Sequence, residues 1–148
     1  MNKVIKTLIE HLLLFLLGGA VYYLIEILYR GYSHWSMFIL GGICFISIGL
    51  INQFYLTWNM NIFYQMLIGA ILITVLEFIV GCIVNIWLGW NIWDYSGVPF
   101  NILGQVCIPF MFIWYILSFV AILVDDFVRW KVFGEDEPHY YIKKKINN

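Results

Sequence analysis

Long unbroken apolar runs, separated by short polar breaks, dominate this chain. A membrane-crossing helix needs about 20 mostly apolar residues at ~1.5 Å rise each. Four stretches qualify: Val4–Tyr29, Trp35–Leu56, Ile62–Leu88 and Ile102–Val124. The breaks between them, Arg30–His34, Thr57–Asn61 and Gly89–Asn101, are short, and only 125–148 is long and polar. Spanning strands alternate apolar and polar residues over ~10-residue segments, and these runs do not alternate. The pattern predicts an all-α integral membrane four-helix bundle, with a four-span transmembrane domain at 1–124 and a polar tail at 125–148. Lys3, Lys6, Leu8–Leu17 and Gly18-Gly19-Ala20 imitate a cleavable leader. The apolar run nevertheless continues through Leu28, and Glu10 and His11 interrupt it early. A retained first helix is therefore expected.

Composition agrees. Of the 148 residues 63% are hydrophobic and 11% charged, with mean hydropathy +0.87. Soluble domains run at ~45–50% apolar and ~25% charged, so lipid must solvate most of the chain. A soluble enzyme, a disordered tail and a disulfide scaffold are excluded as descriptions of the whole. The net charge of −1 supplies no basic field for nucleic acid. Lys3 and Lys6 precede the first span; Arg129, Lys131 and Lys143–Lys145 follow the last; only Arg30 lies in a connection. By the positive-inside rule both termini are expected to be cytoplasmic, in a multi-pass protein of the cell membrane. Cys44, Cys82 and Cys107 are far apart and read as packing residues. The scattered His11, His34 and His139 show no metal-ligand spacing. Neither a metal nor a cofactor is expected.

Ionisable residues inside apolar spans are costly and mark candidate sites. Glu10 lies in the first turns of span one, where it is expected to reach water. Glu26 lies near the outer end of that span, and Arg30, four residues on, can pair with it. Glu77 is deeper, in the outer half of span three. A 100° projection groups it with Ala70, Thr74, Gly81 and Asn85, and sets Ile73, Leu76, Val80 and Val84 apart. Its nearest candidate partners are Glu26, Arg30 and Asp94. The loop between helices 3 and 4 is rich in aromatics, with Trp90, Trp93 and Tyr95 as interface anchors. It carries Asp94, and it can lie flat or re-enter the membrane where protein satisfies its backbone. Pro109 is expected to kink span four. Asp125, Asp126 and Arg129 read as a local cap pairing, and Gly134–Asn148 as a solvated end.

Several of these segments carry a resemblance. They are Glu77-Phe-Ile-Val-Gly81, Trp93-Asp94-Tyr95-Ser96, Pro99-Phe-Asn101 and Gly104-Gln105-Val106-Cys107. Together they resemble the CmpB-type ABC-transporter permease family, which also takes in the animal transmembrane protein 229 group. The run Gly31-Tyr-Ser33-His-Trp35-Ser-Met37-Phe38 is similar to the animal branch. Many bacterial members instead follow the first span with Arg-Gly-Phe-Leu and a proline-bearing run. The resemblance covers roughly Gly19 to Arg129, and it implies a multi-pass protein with a shared polar site. With the intramembrane charges it nominates Glu26, Arg30, Glu77, Trp93, Asp94, Tyr95, Ser96 and Asn101 as candidate solute-binding residues.

Three functions are consistent with these observations. The first is a permease-like transporter subunit that binds a small solute in a polar intramembrane site. Four helices rarely enclose a pathway, so a homo-oligomer or other membrane subunits are expected. With no Walker A motif, ATP hydrolysis would belong to a separate ATPase chain. The second is a structural module binding other membrane proteins through small-residue faces. The third is a membrane enzyme acting on lipid; with no nucleophile–base pair in view, an enzyme is the least expected.

Overall fold

A computed structural model describes residues 2–53 and 60–142. The expected end of span two at Leu56, most of the Thr57–Asn61 connection and Lys143–Lys145 lie outside the described residues. Four helices form a bundle: α1 (Lys3–Arg30), α2 (Trp35–Gln53), α3 (Ile62–Gly81), which continues as a π-helical segment over Cys82–Trp87, and α4 (Ile108–Phe133). Between the π segment and α4, β1 (Asn101–Ile102) pairs antiparallel with β2 (Val106–Cys107), Ile102 opposite Val106. Lys3–Arg30, Ile62–Trp87 and Ile108–Phe133 are each long and apolar enough to cross a membrane, with mean hydropathies of 2.0, 2.7 and 2.1 over their most apolar stretches. Helix α2 is apolar but shorter, over Trp35–Ile51.

Caps set most of the boundaries. Asn2 accepts from the N–H of Val4, and Asn61 from that of Phe63, each satisfying a first-turn donor. Helix α1 ends at Gly31, which takes the left-handed conformation (φ 80°) that a side chain disfavours and donates to Ile27. Span four differs from the expectation at both ends. Residues 102–107 are drawn into the β1–β2 hairpin, so the helix starts only at Ile108. Pro109 therefore lies in its first turn, where the missing N–H costs no helix bond, and not at a kink. At the far end α4 runs on to Phe133 and takes Asp125, Asp126 and Arg129 into the bundle, all three buried.

Helices α1 and α2 form a hairpin packed by glycine–aromatic exchange. Phe45 lies against Gly18 and Phe38 against Gly19 of α1, while Tyr22 lies against Gly41 and Phe15 against Gly42 of α2. Each helix thus lays two rings into the other's glycine pair, the close approach that lipid-dissolved helices need. Helix α3 packs mainly on α4, and there Gly69 meets Ser118. The core centres on Met37, Leu40, Cys44, Ile48, Ala70 and Ile73. The surface of α1 is apolar as well, with Leu8, Leu12, Leu24 and Leu28 exposed, as expected of a face solvated by lipid.

The buried face of α3 is wider than the projection predicts. Ile73 and Val84 are buried along with Ala70, Glu77, Gly81 and Asn85, while Thr74 is half-buried and turns back to the carbonyl of Ala70. Two packing partners, α2 and α4, cover more of the helix than one polar stripe.

Candidate functional site

Glu77 is 1% exposed, inside the bundle. Its Oε2 accepts from Trp114 Nε1 of α4 at 3.0 Å, and its Oε1 from the Tyr95 hydroxyl at 3.3 Å. Both donors are neutral. The expected partners Glu26, Arg30 and Asp94 are engaged elsewhere. Glu26 and Arg30 form the i,i+4 ion pair, and Arg30 Nη1 donates to the carbonyl of Ile92 at 3.0 Å. That contact ties the end of α1 to the α3–α4 loop.

Aromatic stacking fixes the two donors. Tyr95 lies on Phe110 with ring centroids 4.6 Å apart, and its N–H donates to Gly104 at 2.7 Å. Trp114 stacks on Tyr22 of α1 at 5.8 Å and tilts against Phe110 at 6.3 Å. Glu77 is therefore the polar centre of a largely aromatic shell drawn from α1, α4 and the loop.

The loop folds back on the end of α3. The π-helical turn points Asn85 inward, where its Oδ1 accepts from the N–H of Ile92 (2.7 Å) and its Nδ2 donates to Gln105 Oε1 (2.8 Å). Trp93 is 6% exposed and donates from Nε1 to the carbonyl of Gln105 at 2.9 Å. Both side chains crowd Gly81, where an added Cβ would stand 2.6 Å from Gln105 Oε1 and 2.9 Å from the Trp93 ring. A π-bulge is a frequent companion of functional sites, and here it supplies the loop's anchor.

Of the candidates named from sequence, Glu77 and Tyr95 come together. Glu26 and Arg30 make their own pair at the end of α1. Trp93 is spent on bracing the loop. Asp94 and Ser96 are exposed: Asp94 Oδ1 accepts from the N–H of Ser96 at 2.8 Å, and that bond holds its carboxyl below the usual range. Asn101 braces the turn, donating to Val98 at 2.9 Å and accepting from Gly104 at 3.0 Å. Sequence reasoning missed Trp114, and it set Asn85 on the Glu77 face and Gln105 in the resembling segment without naming either as a site residue. The available signal was chemical: a tryptophan, an asparagine and a glutamine within or beside apolar spans each need a partner.

A second cluster lies at the opposite end of the bundle. Arg129, 3% exposed, pairs with Glu10 of α1 and, through Nε at 2.8 Å, with Asp125; Glu135 stands 3.7 Å away. Glu10 is thus bonded and buried, not turned to water. The i,i+4 half of this cluster was visible in the sequence, and its link to α1 was not. Burial and the neighbouring Glu10 push the Glu135 carboxyl above its usual range, against the pull of Arg129. The tail is held as well. Tyr140 donates to Asp126 at 2.5 Å, Ile62 donates to the carbonyl of Tyr141 at 2.9 Å, and Asn61 donates to that of Ile142. Through residue 142 the tail is largely exposed, as expected, while these bonds tie it to the bundle.

Among the described residues no group of three or more His, Cys, Asp or Glu is placed to hold a metal, and the three cysteines are free thiols. No curated protein and no solved structure matches the chain. A family model does, over residues 13–135, a span that takes in Glu77, Tyr95, Trp114, Asp125 and Arg129 but begins after Glu10. The chain belongs to the family described as Putative ABC-transporter type IV.

Proposed function

We propose that the chain is a multi-pass, permease-like subunit of a cell-membrane transporter, with Glu77 as the residue that meets its solute. One observation carries this reading: a carboxylate buried in a helix able to cross a membrane, held by two neutral donors, Tyr95 and Trp114. Such a group is costly in lipid, and two hydrogen bonds from neutral donors leave its charge without a counter-charge. A proton or a solute donor group would complete the site. Glu26 and Arg30 then form the polar entrance beside it, and the Trp93–Asn101 loop is its cover. Four helices are too few to enclose a pathway alone, so the working unit is a homo-oligomer or includes other membrane subunits. ATP hydrolysis is supplied by a separate chain.

Purification from native membrane in mild detergent, with identification of the bound chains, tests this. An ATPase chain recovered in fixed ratio is the expected result. Recovery of unrelated membrane proteins alone would replace the reading with that of a structural module.

A further inference from the structure

Helices α1 and α4 are tied together at two levels and part between them. At one level Glu10 of α1 pairs with Arg129 of α4; at the other Tyr22 stacks on Trp114. Between these ties, bordered by the Tyr22–Trp114 stack and reaching past it to Ile25, lies a cleft of about 170 Å³ whose lining is almost wholly carbon. Its floor is buried and includes Cys44, Ile48 and Trp114. Its rim is exposed and includes Val21 of α1 and Val120 of α4. Both rim helices are long and apolar enough to cross a membrane, so the mouth opens sideways at hydrocarbon depth.

We propose that this cleft binds one hydrocarbon chain of a membrane lipid. Water is a poor occupant, because a held water needs two to four polar partners, whereas aliphatic cavities of ~150 Å³ stay dry and take up hydrocarbon such as benzene. A helix of a second copy is excluded by size and by the ties. It is ~10–12 Å across with its side chains and ~30 Å long over a membrane-spanning length, against ~18 Å between Glu10 and Tyr22 along α1 at ~1.5 Å per residue, so lying along the cleft it would have to part Glu10 from Arg129 or Tyr22 from Trp114. A single acyl chain enters between them without breaking either contact. The assignment stands on the cleft alone and holds whether or not Glu77 meets a solute.

The test uses the full chain in phosphatidylcholine bilayers doped with a phosphatidylcholine that carries a diazirine midway along one acyl chain. After photolysis, adducts are mapped by mass spectrometry. Adducts on the floor, at Cys44, Ile48 or Trp114, are expected in addition to those on bilayer-facing Leu24. Ala121, which lines the cleft, offers the filling variants. Ala121→Phe, or the smaller Ala121→Leu should the first not fold, is expected to lose the floor adducts and keep those on Leu24. Adducts confined to exposed positions in the wild-type chain would overturn the proposal. So would floor adducts that survive filling.

Discussion

Glu77 serves two donors, the buried Trp114 and the half-buried Tyr95, and this determines what its replacement does. In Glu77→Leu both Trp114 Nε1–H and the Tyr95 hydroxyl lose their acceptor. A buried donor left unsatisfied costs ~1–3 kcal/mol. Glu77→Gln keeps one carbonyl acceptor and is expected to lose less. Thermal unfolding in detergent should therefore rank wild type above Glu77→Gln, and Glu77→Gln above Glu77→Leu. Adding Trp114→Phe to Glu77→Leu removes one orphaned donor, so the double variant should lose less than the two single changes summed. Equal stability of the Gln and Leu variants would mean that these donors do not depend on Glu77. Asp94 is a different kind of carboxylate, exposed and, among the described residues, bonded to the turn that follows it. Its carboxyl lies below the usual value, so its support for the loop is present above the ordinary carboxylate range and is lost as pH falls through the folded-state value. Asp94→Ala should speed proteolytic nicking near Gly97 at neutral pH and remove the acid sensitivity of that cleavage. Asp94→Asn, which keeps an acceptor, should nick slowly and without pH dependence.

Among the elements, the α1–α2 hairpin depends on four glycines and four aromatic rings that exchange places. Gly41→Leu would set a branched side chain where Tyr22 lies, and overpacking of this kind costs ~1–3 kcal/mol or more. Because Tyr22 also stacks on Trp114, the damage should spread to the Glu77 site. Expected outcomes are a lowered Tm and altered tryptophan fluorescence; a variant with wild-type values for both would show that the hairpin does not rely on this contact. What could be read from sequence follows range along the chain. Runs of apolar residues place all four helices, and the Glu26–Arg30 and Asp125–Arg129 pairs follow from helical spacing. The Asp94 turn is equally local. The partners of Glu77 and Arg129 across helices are not: Trp114 lies 37 residues from Glu77, and Glu10 lies 119 from Arg129. No periodicity encodes which turn of one helix meets which turn of another. The start of α4 was misplaced for a related reason, since an apolar run cannot distinguish a short hairpin such as 101–107 from one more turn of helix.

At the scale of the whole molecule, the two ends of the bundle differ in charge, and that difference argues for one orientation. The Glu10–Arg129 pair places the start of α1 and the end of α4 at the same end. The contacts from Asn61 and Ile62 to Ile142 and Tyr141 bring the start of α3 and the tail there as well. This end carries Lys3, Lys6, Arg129 and Lys131. The opposite end has a single such residue, Arg30. An excess of Lys and Arg is retained on the cytoplasmic side, so the Arg129 end should face the cytoplasm, and the loop from Leu88 to Asn101 should face away from it. Single cysteines at Asn2, Asn91 and Asn148, in a background with Cys44, Cys82 and Cys107 replaced, provide the measurement. In intact cells an impermeant maleimide should label Asn91→Cys alone, and permeabilisation should add the other two. Outside labelling at position 2 or 148 would reverse the orientation. Labelling of only one terminus from outside would show an odd number of crossings, with α2 as the helix that fails to span, since over the described residues it is the shortest of the four.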